Sequence, residues 1–60
     1  MTPQELIRKI TAVGWYLWDH GGRHDKYRHP TRIGTLIIER HTKDIATGTL
    51  NKLLKDAGLK

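Results

Sequence analysis

Two stripes of apolar side chains at helical spacing stand at opposite ends of this sequence, and between them there is room for little more than a small sheet. Leu6, Ile7, Ile10 and Val13 make the first stripe, and Leu50, Leu53, Leu54 and Ala57 make the second. Thr2-Pro3-Gln4-Glu5 opens the first helix with a hydroxyl N-cap, a proline at the first helical position and a glutamate able to close a capping box. Gly14 is its stop, which predicts a helix over about 3 to 13. Gly58 is placed to end the second helix in a left-handed conformation, and Thr47 or Thr49 is the expected N-cap.

The span between the stripes carries three short runs suited to strands. Trp15-Tyr16-Leu17-Trp18 is aromatic and stops before His20-Gly21-Gly22. Arg23 to His29 is polar but bounded by the Gly-Gly turn and Pro30, so it reads as a second strand antiparallel to the first. Pro30 to Gly34 is another turn, and Thr35 to Glu39 has the β-branched density of a third strand. The order is αβββα, an α+β fold in one domain spanning 1–60: a three-stranded antiparallel meander with two helices on one face. The other face is left to solvent or substrate. Alternation turns Trp15, Leu17, Leu36 and Ile38 inward and Trp18 outward, while the parity of Arg23 to His29 stays open.

Size and charge then narrow the function. Sixty residues cannot wrap a deep cavity of the usual several hundred cubic ångströms, so a substrate lying across the surface suits the chain better. With 11 Lys and Arg against 6 Asp and Glu, the net charge of +5 points to a polyanion. The absence of cysteine excludes a disulfide staple, a thiolate zinc site and a Cys nucleophile, and it fits a reducing compartment. No apolar stretch is long enough to span a bilayer, and the polar, capped start does not resemble a signal peptide, so a cytoplasmic protein is expected.

Four histidines offer the chemistry. His20, His24 and His29 flank a turn and a strand rather than one helical face, and zinc sites prefer four ligands with firm support, so no metal is expected. His24 and Asp25 are neighbours in a strand and should point to opposite faces, which disfavours a supported pair. His24 by itself follows the Gly-Gly turn among Arg23, Lys26 and Arg28: an acid-base group in a positive setting. RNA cleavage by internal transesterification asks for little more, because the 2′-hydroxyl is a nucleophile carried by the substrate. One histidine supplies about 10² to 10⁴-fold as general acid or base, and nearby cations stabilise the phosphorane. The same residues also suit a noncatalytic RNA-binding module in which His24 only touches phosphate.

Lys26 and Arg28, with Arg32 beyond, form a basic stripe, and Tyr27 interleaves as a ring for base stacking. Arg40 and His41 follow the third strand and are expected beside the first turn, holding phosphate or assisting proton transfer, or else as part of a solvated loop.

The run Gly14-Trp15, Gly21-Gly22-Arg23-His24-Asp25-Lys26-Tyr27, Arg40-His41 and Thr47-Gly48-Thr49-Leu50, ending in Leu53 to Leu59, resembles the HicA family of small toxins. The resemblance covers essentially the whole chain. It implies a fold like the double-stranded RNA-binding domain and a metal-independent mRNA interferase with no cofactor. It also implies one essential histidine matching His24, and a HicB-type antitoxin as partner. Many relatives carry Gly-Ser-His where this chain has Gly22-Arg23-His24, so a role for that serine does not transfer, and Arg23 is expected on phosphate instead.

Overall fold

A computed structural model describes all 60 residues. The chain runs α1 (Pro3–Ala12), β1 (Tyr16–His20), β2 (His24–Arg28), β3 (Leu36–Glu39) and α2 (Thr47–Asp56). The strands form one antiparallel sheet in the order β1-β2-β3. This is the αβββα architecture expected of the sequence.

Both halves of the capping box are made at the start of α1. The Glu5 amide donates to Thr2 Oγ1 at 3.2 Å, and the Thr2 amide donates to Glu5 Oε1 at 3.3 Å. These bonds to the charged form hold the Glu5 carboxyl below its ordinary pKa, the backbone bond from Thr2 contributing most. The start of α2 differs from expectation. Ala46, with φ −57° and ψ 142°, is the N-cap, and no side chain caps the helix. Thr47 is already helical, so neither it nor Thr49 occupies the extended cap position from which a hydroxyl accepts the first amides. At the other end Gly58 has φ +81°, and a Cβ there would sit 2.7 Å from Arg32 Cζ. The glycine both permits the left-handed exit and leaves room for a guanidinium beside the helix C-terminus, where positive charge is favoured.

Register assigns the faces. Tyr27 pairs with Leu17 and Leu36, and Asp25 pairs with His20 and Ile38, so these side chains share the helix side of the sheet. Leu36, Ile38 and Tyr27 pack there with Leu6 and Ile10 of α1, Leu53 of α2, and Trp15, Ile45 and Ala57. Trp15 is anchored across this core by its indole N–H, which donates to the Ala57 carbonyl at 3.3 Å.

Two expectations for β1 change. The strand begins at Tyr16 and reaches His20, because a bulge at Trp18 shifts the register between Leu17 and Asp19 and lets pairing continue to the turn. Leu17 faces the helix side as expected but is 49% exposed: β1 is an edge strand, and all five of its residues lie beyond the cover of the helices. Trp18 is outward, also as expected, with the Arg28 guanidinium 3.7 Å from its ring centre.

Candidate active site

The turn between β1 and β2 is tight. The Gly21 amide donates to the His24 carbonyl at 3.0 Å, leaving Gly22 and Arg23 at the corner. A Cβ on Gly21 would lie 2.6 Å from that same carbonyl oxygen, so only glycine allows the approach. Arg40 holds the turn from behind. Its Nη2 donates to the carbonyls of Gly21 at 2.7 Å and Gly22 at 2.6 Å, and its amide donates to the Arg23 carbonyl at 3.1 Å. Arg40 thus reaches the first turn, as its place after β3 suggests, but its guanidinium is taken up by protein carbonyls.

Beneath the turn is a charged cluster that sequence reading did not find. Asp25 is buried, with His20 Nδ1 at 2.9 Å and Arg40 Nε at 3.5 Å from its Oδ1. The Arg40 contact is close enough for an ion pair but not aligned as a hydrogen bond, so Coulomb attraction carries it. A carboxylate in this position needs such a partner, since an isolated buried charge is costly. The same carboxylate, after burial, helps push the neighbouring Tyr27 phenol above its ordinary pKa, with Arg40 opposing.

The histidines separate by their company. His20 lies on the helix side against Asp25 and Arg40. His29 Nε2 is 2.8 Å from the Val13 carbonyl, its Nδ1 accepts from the Thr31 amide at 3.1 Å, and its ring stands edge-on to Trp15. His41 is exposed in the turn after β3. His24, at the first position of β2, is exposed on the open face and lines a surface cleft of about 320 Å³ with Ile37, Glu39, Thr42, Asp44 and Thr49. His24 and Asp25 therefore point to opposite faces. No three His, Cys, Asp or Glu side chains converge as a group able to hold a metal ion.

Of the basic residues, Lys26 and Arg28 share the open face with His24, and Arg23 is exposed at the turn corner. Lys26 has only a loose contact with Asp19 at 3.9 Å. Tyr27, expected between them as a stacking ring, is a core residue instead: alternation along β2 turns it to the helix side, where it is 5% exposed. The aromatic rings on the open side belong to Tyr16 and Trp18, about half exposed. Two polar residues have places that the sequence left open: Asp25, set aside as a partner of His24 but buried with the parity of Tyr27, and Glu39, the cross-strand partner of His24. Both follow from the register, which needs the β2–β3 pairing to be known.

A family model described as HicA toxin of bacterial toxin-antitoxin matches residues 3–59. No curated protein matches the chain.

Proposed function

The chain belongs to the HicA toxin family, toxins of bacterial toxin-antitoxin systems, and from that premise we propose that it is an endoribonuclease that cleaves mRNA with His24 as general acid or base. The observation that carries this reading is the position of His24. It is the one histidine that lines a cleft without a hydrogen bond or ion pair of its own, on a face that also presents Lys26 and Arg28. Imidazole is the side chain that changes charge near neutrality, which suits it to proton transfer. The substrate's 2′-hydroxyl attacks the adjacent phosphorus, and the protein moves protons and stabilises the developing negative charge. Metal is not needed for this chemistry.

Arg23, Lys26, Arg28 and His41 are the groups we assign to the RNA backbone, with Trp18 and Tyr16 as surfaces on which an unpaired base stacks. Arg40 and Tyr27, turned into the fold, act by holding the turn and the sheet. Family membership implies an antitoxin partner, which we take to be HicB-type, and we place the pair in the cytoplasm; no helix is long and apolar enough to cross a membrane.

The test is cleavage of a defined transcript in EDTA by the parent and by His24→Ala. The variant should be slower by about 10² to 10⁴-fold, and a 2′-deoxy substitution at the cut site should stop cleavage. Equal cutting by His24→Ala overturns the assignment. RNA held tightly but never cut, at any pH, points instead to a binding module.

A further inference from the structure

His24 does not stand alone in its cleft. Its Cα partner across the β2–β3 ladder is Glu39. The Arg40 amide donates to the Arg23 carbonyl at 3.1 Å, which makes 23–40 a hydrogen-bonded antiparallel pair. The next pair, 24–39, is then of the non-hydrogen-bonded kind, with Cα atoms about 4.5 Å apart and side chains at their closest. Both side chains are exposed on the open face, and both line the same cleft. The charged groups facing Glu39 are His24 opposite, Lys26 farther along β2 on the same face, and Asp44 across the cleft. Asp44 is occupied by the Met1 ammonium at 2.7 Å, whereas Glu39 has no ion pair. Glu39 is thus the unengaged carboxylate of the cleft.

We propose that Glu39 is the second proton-transfer group of this site, the general base to which His24 is the general acid. The inference rests on the endoribonuclease reading. Transesterification needs a base at the 2′-oxygen and an acid at the 5′-oxygen, on opposite sides of one phosphorus, and two side chains projecting in parallel from neighbouring strands can flank it. Glu39 takes the 2′-hydroxyl proton as the 2′-oxygen forms its bond to phosphorus. The phosphorus–5′-oxygen bond breaks, its electron pair stays on the leaving oxygen, and the His24 imidazolium gives that oxygen a proton. The products are a 2′,3′-cyclic phosphate and a 5′-hydroxyl, with Glu39 left protonated and His24 neutral.

The experiment compares the parent, Glu39→Gln and His24→Ala on two RNA oligonucleotides, one with the natural 5′-oxygen at the scissile phosphate and one with sulfur in its place. Sulfur leaves as a thiolate and needs no acid. Glu39→Gln should lose about 10² to 10⁴-fold on both substrates, and its pH–rate profile should lose the acid-side limb. His24→Ala should lose as much on the oxygen substrate and recover on the sulfur one. Thermal melting and binding of a 2′-deoxy oligonucleotide report folding and affinity, and both should match the parent in Glu39→Gln. Parent-like cleavage by Glu39→Gln beside an impaired His24→Ala overturns the role of Glu39 and leaves the endoribonuclease reading intact. A parent that cleaves neither RNA overturns both.

Discussion

On the covered side of β2, Asp25 and Tyr27 are enclosed: one holds an arginine and the other packs among leucines and isoleucines. One residue away on the open side, the His24 side chain makes no hydrogen bond or ion pair, Lys26 has only its loose contact with Asp19, and Arg28 lies over the ring of Trp18. The two sides are therefore under different constraints, although they alternate along a strand of five residues. Covered positions answer to packing and to the need of each buried charge for a partner. Open positions answer only to what binds there. Substitutions should separate into those that unfold the protein and those that disarm it, and the separation can be tested.

The largest effect belongs to the apolar part of the covered side. Ile38→Ala should cost about 2–5 kcal/mol, in a domain whose single core supplies only about 3–5 kcal/mol. Loss of the cooperative melting transition is expected, and a variant melting within a few degrees of the parent would show that α2 and β3 repack freely. Arg40→Ala probes the polar end of the same side. Breaking a fully buried pair costs about 3–5 kcal/mol, and with the Arg40 side chain 24% exposed we expect roughly half of that. Cleavage should fall beyond the loss of stability because the turn carrying His24 loses its clamp; unchanged activity per folded molecule would separate clamp from site. Arg28→Ala, on the open side, should change stability by at most about 1 kcal/mol, the value of an exposed cation–π contact. Its signature should be a slope of log affinity for RNA against log salt that is shallower by about one. An unaltered slope would remove Arg28 from the RNA path.

How much of this was legible in the sequence depends on the range of the interaction concerned. Local signals served well: the capping box at Thr2 and Glu5, the left-handed exit at Gly58 and the outward Trp18 are set within a few residues. The prominence of His24 after the Gly-Gly turn was equally plain. What could not be read needs pairing across the sheet. Leu17 follows the alternation rule yet stays exposed because β1 is an edge strand, and Tyr27 falls inward because β2 is registered against Leu36. The buried company of Asp25 is supplied by His20 and Arg40, residues from two other parts of the chain. The α2 cap misled for a simpler reason: threonine hydroxyls near a helix start invite a capping assignment, but the helix begins at the first of them.

The Arg40 clamp also sets an order in time. A ribosome makes His24 and its glycine turn before it makes β3 and the arginine whose guanidinium grips Gly21 and Gly22. Core closure comes later still, with Leu53 and Ala57 near the end of the chain. Until those residues have emerged, the histidine sits on an unsecured hairpin, and two-stranded hairpins are at best marginally stable in water. Under the cleavage role proposed for it, His24 reaches its working position only after Arg40 has followed it out and closed on the glycine turn.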